Sequence, residues 1–589
     1  MTILFCKLRN NIFIESDIFL AERELKSFFK VLIPIYNSQE LPKHINLPQS
    51  CAQIYIREDG IIGYVVREMD TPIVEIVKQL SFIQEIWCPY DCIDLIQLPP
   101  ACWWIKCKQS NTEMIVMLPL MAAGELLTNS PTKLVSENDI NELVKTIASC
   151  EKNTKSNWHK SLIRRNTSTP HVHNLHKYKA KFFPRMIRSF LVSVAKQAPR
   201  TKDGKVRIID PFVGSGTALV EASLLNFDSV GIDIDKLSCL ISQSKLTTLL
   251  QHIKIEQLKK IIDIVEKNKY PLFDKNITDN IYSFPQKIAL KFEKKGNLEE
   301  KNKYEQEIAY WIGIIQDIED ENTKLVVSIC LSDALSRKFN IRMMGTGVGR
   351  FALEIGKSDI SSMVTANLKS LIKTISVSQT LIKAYNLSLG NVEIICDSAT
   401  HIPLQTSSVS VILTSPPYLP ASSGRENYLV SKAISIKALN LMSDDEIEAG
   451  EVKSVGSMKN RYELMLDAVP SEVVELYNWL KSDELRYIKA TPTVIYYQSL
   501  RKALEETYRV LMPKGVAIYV IGKESIFYKY STREVLYKVK CDEIFYKLAQ
   551  SVGFIIQEKF DIELDKKNKN ARPRSLDSYY ESVFFLTKN

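Results

Sequence analysis

Two short segments constrain the fold of this chain more than anything else in it: Asp210-Pro211-Phe212-Val213-Gly214-Ser215-Gly216-Thr217 and Thr414-Ser415-Pro416-Pro417-Tyr418. Each closes an apolar, β-branched run, Val206 to Ile209 for the first and Val409 to Leu413 for the second. Such a run, stopped by a glycine or proline turn, reads as a buried strand. From His171 onward, strands of this kind alternate with helical stretches, the signature of a parallel α/β sheet covered on both faces. The expected strands are Val206 to Ile209, Ser229 to Ile232, Val392 to Cys396, Val409 to Leu413 and Val516 to Ile521. Helices are expected at Thr217 to Leu225 and Tyr497 to Leu511, and a closing antiparallel pair at Phe554 to Glu563 and Val583 to Leu586. The fold class is therefore α/β, a doubly wound Rossmann-like sheet.

The chain of 589 residues is too long for one core, so about two to four domains are expected. Hydrophobic and charged contents of 45% and 25% are those of a soluble globular protein. A net charge of +9 is a mild excess that suits a polyanionic partner without specifying one. No apolar run reaches the ~18 residues of a membrane span. Met1 to Asn11 lacks the layout of a secretory signal. A cytoplasmic protein with no membrane partner is the expectation. The 11 cysteines sit mostly among apolar neighbours and read as reduced thiols. Cys88, Cys92, Cys102 and Cys107 lie close enough in sequence to hold zinc, but their spacing is not that of paired CxxC, and buried hydrophobes are the competing reading.

Residues 1–150 form an N-terminal α+β domain, a targeting unit or a structural cap. Its expected strands are Ile3 to Leu8, Ile12 to Ile14, Ile54 to Ile56, Ile61 to Val66 and Met114 to Met117, with helices at Ala21 to Val31 and Pro72 to Leu80. Residues 151–170 are a polar linker carrying Lys152, Lys155, Lys160, Arg164 and Arg165. Residues 171–589 hold the sheet domain. A simple α/β unit needs one helix between its second and third strands, and this chain has far more there. Leu258 to Val265, Tyr304 to Ile318 and Leu325 to Leu335 have helical periodicity, so a helical insertion is expected over about 245–388. A second insertion spans about 419–489.

In a doubly wound sheet, ligands bind beyond the carboxyl ends of the strands. Gly214 and Gly216 let the backbone approach a ligand closely, and the helix beginning at Thr217 offers free N–H groups. Asp210 is placed to accept from the ammonium of a bound amino acid. Asp233, at the end of the second strand, is placed for the hydroxyls of a ribose, with Asp235 as a helix N-cap. Asp397, followed by Ser398, is placed to meet an adenine amino group. The spacing fits neither GxGxxG nor GxxxxGK[ST].

These two segments together resemble the amino-group DNA methyltransferases. The Ser-Pro-Pro-Tyr form is similar to the cytosine-N4 branch, whereas Asp-Pro-Pro-Tyr is more usual for adenine-N6. His176-Lys177-Tyr178-Lys179-Ala180-Lys181-Phe182-Phe183-Pro184 resembles the stretch before the first strand in that family. The resemblance covers roughly 171 to 235 and 390 to 589. It implies S-adenosyl-L-methionine as cofactor, held by Phe183, Pro184, Asp210, Phe212, Gly214, Gly216, Thr217, Asp233, Asp397 and Ser398. It also implies double-stranded DNA with a flipped target base as substrate, and a restriction endonuclease as partner. The large insertion departs from the family's pattern and leaves the target-reading region open.

The chemistry fits the second turn. An exocyclic amine is a poor nucleophile because its lone pair is delocalised into the ring. Acceptors that draw its hydrogens out of the ring plane localise that pair, and the Ser415 hydroxyl and Pro416 carbonyl suit this. Pro416 and Pro417 hold the turn rigid. Tyr418 offers a face for an extruded base. A ring-carbon methyltransferase needs a Pro-Cys nucleophile, and the chain contains no such pair. Alternatives are adenine-N6 methylation of DNA, guanine-N2 methylation of tRNA, and a non-enzymatic binding module. Candidate DNA contacts are Arg337, Lys338, Asn340 and Arg342 leading into Gly345 to Arg350, the basic run Lys566, Lys567, Lys569, Arg572 and Arg574, and Asn427 with Tyr428 at the base pocket. Each of the basic groups also reads as a solvated loop.

Overall fold

The computed structural model describes residues 2–9, 12, 14–45, 60–89, 98–99, 102–106, 113–129, 171–178, 181–250, 253–267, 282–294, 296–343, 351–419, 428–453, 455, 463–529, 531–532, 534–564 and 579–589. The first sheet is built from β1 (Ile3–Leu8), β2 (Phe29–Ile35), β3 (Gly63–Met69), β4 (Ile83–Pro89), β5 (Cys102–Lys106) and β6 (Glu113–Met117). Its order is β2-β3-β1-β4-β6-β5, antiparallel throughout. The helix expected at Ala21 to Val31 instead spans Glu15–Lys26, and Phe29–Ile35 is a strand. Glu15 and Asp17 in its first turn and Arg23 and Lys26 in its last complement the helix dipole, whereas the following Phe-Lys-Val-Leu-Ile run is β-prone. Pro34 is tolerated because β2 is an edge strand. Ile12 lies outside any strand, and Ile14 precedes the helix as its N-cap. Residues 54–56 and the linker 151–170 fall outside the described residues.

The second half contains β7 (Arg207–Asp210), β8 (Asp228–Asp233), a hairpin of β9 (Phe339–Met343) and β10 (Phe351–Ile355), then β11 (Val392–Cys396), β12 (Val409–Thr414) and β13 (Leu511–Gly522). A second hairpin of β14 (Glu524–Tyr528) and β15 (Val535–Lys540) precedes β16 (Ile555–Leu564) and β17 (Tyr579–Thr587). Seven of these strands form one sheet, ordered β11-β8-β7-β12-β13-β17-β16. Pairing is parallel from β11 through β13, and β17 runs antiparallel to both its neighbours. The chain builds outward from β7 through β8 to β11, then returns to lay β12 and β13 on the other side of β7. That is a doubly wound Rossmann-like sheet whose switch point lies between β7 and β12.

Between β8 and β11 come the helices Lys236–Leu250, Ile255–Lys267, Gln286–Glu293, Leu298–Gln316, Glu321–Lys338 and Ile360–Ala384. The last five share a core of their own, with Ile308, Trp311, Leu331 and Leu368 fully buried. The far end of the last helix returns to the main body, where the Tyr385 hydroxyl donates to the Leu118 carbonyl at 2.7 Å.

Buried ions join the two sheets. The helix Pro184–Ala195 packs between Glu15–Lys26 and Thr217–Leu224. Glu24, fully buried, accepts from Ser81 N at 2.7 Å, Ser81 Oγ at 2.6 Å and Phe82 N at 3.2 Å, and burial pushes its carboxyl up to about 7. Arg185 donates to Glu125 at 2.7 Å. Arg188 donates to Glu221 at 2.6 Å and to the Lys78 carbonyl at 2.7 Å. Glu221 also meets His173 Nε2 at 2.7 Å; burial would raise its carboxyl, but Arg188 and His173 hold it at about 2. Removing one member of a buried ionic group strands the others in a low dielectric. Glu221→Ala is therefore expected to lower unfolding stability by about 3–5 kcal/mol, read from denaturant midpoints.

Candidate active site

Both turns emerge at the switch point, and a hydrogen bond joins them. Thr414, the last residue of β12, donates from Oγ1 to Asp210 Oδ1 at 2.7 Å. The same oxygen accepts Phe212 N at 3.1 Å. Asp210 is 1% exposed. Burial pushes its carboxyl up to about 7, with a further push from Asp233 and an opposing pull from the two hydrogen bonds.

The glycine turn is tied down from beneath. Gly214 and Gly216 sit at φ +51° and +73°, in the left-handed region. Gly214 N donates to Asp233 Oδ2 at 2.9 Å. The helix Lys236–Leu250 supplies two further anchors: Ser242 Oγ donates to the Gly214 carbonyl at 3.0 Å, and the buried Lys245 ammonium donates to the Ser215 carbonyl. A Cβ on Gly216 would lie 2.8 Å from Ser242 Oγ and 3.1 Å from its Cα. Gly216→Ala is expected to lower the unfolding midpoint through this clash plus ~1–2 kcal/mol of left-handed strain, and a thermal melt checks it. Thr217 opens the next helix, and its buried Oγ1 has no hydrogen-bond partner among the described residues.

Asp233 has a duty the sequence did not indicate. Its two oxygens accept from Gly214 N and Asp235 N, both at 2.9 Å, so it closes the turn and keeps only its remaining lone pairs for a ligand. Asp235 accepts Leu237 N at 2.9 Å, as a helix cap does. It also accepts from Ser238 Oγ at 2.7 Å and pairs with Lys432, from the helix Tyr428–Ala438 between β12 and β13. Lys432 Nζ lies 4.6 Å from the Tyr178 ring centroid, and Tyr178 in turn covers Gly214. Tyr178, Ser242, Lys245 and Lys432 were not among the expected site residues. Tyr178 lies within the motif before the first strand, but nothing in the sequence ties the other three to the turn.

The register of β11 on β8 sets Cys396 beside Asp233, so Asp397 and Ser398 continue along the same edge. Ser398 N donates to Asp397 Oδ1 at 2.7 Å. Phe183 and Pro184 stand at the head of the helix Pro184–Ala195, with Pro184 buried at its first turn.

Three contacts fasten the second turn. The Pro417 carbonyl accepts the Tyr496 hydroxyl at 2.9 Å. The Tyr418 hydroxyl donates to Glu581 on β17 at 2.6 Å. Gly522 lies against the Tyr418 ring, where a Cβ would come within 3.1 Å. Ser415 Oγ is 3.4 Å from the Tyr418 hydroxyl. Although held at both ends, Tyr418 stays 39% exposed. Among the described residues nothing donates to the Pro416 carbonyl.

Some basic candidates are structural. Lys338 is 2% exposed and donates to the Gly356 and Ser358 carbonyls at 2.7 and 2.8 Å, closing the hairpin onto its helix. Arg337 pairs with Asp333, and Asn340 donates to Glu354 across the hairpin at 2.9 Å. Residues 345–350, 427 and 566–574 fall outside the described residues, as do Cys92 and Cys107. Cys88 is buried in β4, and Cys102 is half-buried in β5. Among the described residues no cluster of three or more potential metal ligands occurs, and no helix is long and apolar enough to cross a membrane.

No family model matches the chain. A segment of 120 residues is 41% identical to the Type II methyltransferase M.MjaII of Methanocaldococcus jannaschii, covering 20% of each chain. Over 391 residues the chain is 23% identical to the Type II methyltransferase M.MvaI of Kocuria varians, covering 61% of this chain and 79% of that one. This chain is similar to Type II methyltransferases. The first match spans about a fifth of its relative's length. Among solved structures, a SAM-dependent methyltransferase of Methanosarcina mazei aligns over 67% of this chain at 8% identity, with a TM-score of 0.23.

Proposed function

We propose that the protein is an S-adenosyl-L-methionine-dependent DNA methyltransferase acting on the exocyclic N4 amine of cytosine. The observation that carries this reading is the Thr414–Asp210 hydrogen bond. It locks a glycine turn suited to an amino-acid-bearing nucleoside against a Ser-Pro-Pro-Tyr turn suited to an amino-substituted ring, at the place where doubly wound sheets bind ligands. The residues present fit the cofactor. The Thr217 hydroxyl is buried with no partner among the described residues, Asp210 is a buried acceptor for a cationic group, and Gly214 turns at a φ of +51° beneath Tyr178. Asp233 and Asp397 on adjacent strand ends suit ribose and adenine.

When bound, S-adenosylmethionine supplies the methyl group on its sulfonium. The protein's part is to bind, orient and polarise. Ser415 Oγ and the Pro416 carbonyl accept the amine hydrogens and localise its lone pair. The Tyr496 and Glu581 contacts hold that geometry before the base arrives, so no reorganisation accompanies the reaction. The exposed face of Tyr418 stacks on a base flipped from the duplex. Type II methyltransferases among the relatives support a role as the modification part of a restriction–modification system, with a restriction endonuclease as partner.

Incubating the protein with methyl-labelled cofactor and either unmethylated duplex DNA or unmodified tRNA tests this. Label is expected in DNA; label confined to tRNA would sink the reading.

A further inference from the structure

One cluster beside the cofactor turn is not used by this chemistry. Cys396 is the last residue of the edge strand β11, and Cys239 lies on the helix Lys236–Leu250 that follows β8. The pairing of Cys396 with Asp233 brings the strand end over the start of that helix. Each thiol reaches the backbone beside the other: Cys239 Sγ donates toward the Ile395 carbonyl of β11 at 4.0 Å and the Asp233 carbonyl at 3.4 Å, and Cys396 Sγ toward the Ile234 carbonyl in the turn before the helix at 4.0 Å. The Cys239 thiol thus points to the carbonyl of the residue before Cys396, and the Cys396 thiol to a carbonyl five residues before Cys239. Of the described cysteines only Cys396 is exposed; Cys239 and Cys102 are half-buried and Cys6, Cys88, Cys330 and Cys541 are buried.

We propose that Cys396 and Cys239 form a redox-active dithiol that takes low-molecular-weight disulfides and closes to a Cys239–Cys396 disulfide across the edge of the cofactor pocket. The roles divide by access. The exposed Cys396 thiolate attacks one sulfur of the small disulfide, forming a mixed disulfide and releasing one small thiol. Cys239, placed against it, then displaces the second small thiol and forms the protein S–S bond. Two electrons pass from the cysteines to the small disulfide, and their two protons end on the released thiols or in solvent. The local charges suit this division. Contact with Cys239 holds the Cys396 thiol below its usual range; burial, Asp233 and Asp235 push the other way, and Lys236 favours the thiolate. Cys239 is displaced upward, first by that same contact and then by burial and the two aspartates. A lowered thiol is the attacking one, and a raised partner is protected until the mixed disulfide reaches it.

The bond would tie the residue before Asp397 to the helix that anchors Gly214 and Ser215. On the cofactor assignment made above, oxidation then weakens cofactor binding, and bound cofactor shields Cys396. The test treats the full-length protein with glutathione disulfide, alkylates the remaining thiols and maps peptides by mass, with and without S-adenosylhomocysteine. A cross-linked Cys239–Cys396 peptide pair is expected, formed several-fold more slowly with S-adenosylhomocysteine present. In Cys239→Ser, Cys396 is expected to stop at a stable glutathione mixed disulfide. If both cysteines stay fully alkylatable after oxidation, or Cys396 pairs elsewhere, the dithiol is refuted. A cross-link formed equally fast with and without S-adenosylhomocysteine keeps the dithiol and contradicts the cofactor assignment instead.

Discussion

Asp210→Asn is expected to weaken S-adenosylmethionine binding about 10- to 100-fold, from the ~1.5–3 kcal/mol of a hydrogen bond to a charged group, while the protein stays folded. The substitution keeps the shape that receives Phe212 N and the Thr414 hydroxyl and removes only the charge. Stability should not fall. The Asp210 carboxyl is raised to about 7 in the folded chain from an ordinary value of 3.8. Its ionisation therefore counts against folding progressively as pH climbs from the unfolded value to the folded one, and fully above it. Asparagine removes that cost, so Tm at neutral pH should hold or rise. Binding has the opposite sign. A cationic ammonium beside Asp210 favours the carboxylate and expels its proton. Wild-type affinity should therefore rise with pH up to about 7 and then level, whereas the variant should be flat. Asp233, also raised by burial, to about 6, faces the same space and would add a shallower slope lower down. Calorimetric titration across this range, in buffers of different ionisation enthalpy, reads both the affinity and the proton released.

Ser415→Ala should do the reverse, leaving cofactor affinity unchanged and lowering turnover by about 10²–10³-fold, the cost of losing one preorganised polar group at a reacting centre. The split follows from position. Ser415 stands beyond the Thr414 hydroxyl that bonds Asp210, and its Oγ lies 3.4 Å from the Tyr418 hydroxyl, on the side of the base-facing ring. Binding and single-turnover measurements on one preparation separate the two effects. Equal losses in both would contradict the division of labour between the turns.

The two turns were legible because each needs local chemistry: glycines for positive φ, prolines for rigidity, and an apolar run before each. All five parallel strands were visible because each carries a short, largely apolar run, although the edge strand β11 is only partly buried. What went unread depends on partners far apart in sequence. Ser242 and Lys245 look like ordinary helix residues until the fold sets them under the Gly214 and Ser215 carbonyls. Tyr496 and Glu581 fasten the Ser-Pro-Pro-Tyr turn from a helix and a strand well downstream. The N-terminal sheet was harder still. Antiparallel strands such as β2 and β4 carry no motif, and a helix placed at Ala21 to Val31 ran through a boundary that end charges and the β-prone run after it decided. Lys338 looked like a phosphate contact because it is basic and precedes a glycine-rich stretch, yet its ammonium is spent on two carbonyls.

The central claim is that the two joined turns methylate the N4 amine of cytosine in DNA. The most direct measurement is nucleoside analysis of unmethylated duplex DNA after incubation with the protein and labelled S-adenosylmethionine. The account predicts label as N4-methylcytosine, absent when Ser415→Ala replaces the wild type. Label as N6-methyladenine would contradict the cytosine assignment, and DNA left unlabelled by a protein that binds the cofactor would contradict the claim itself.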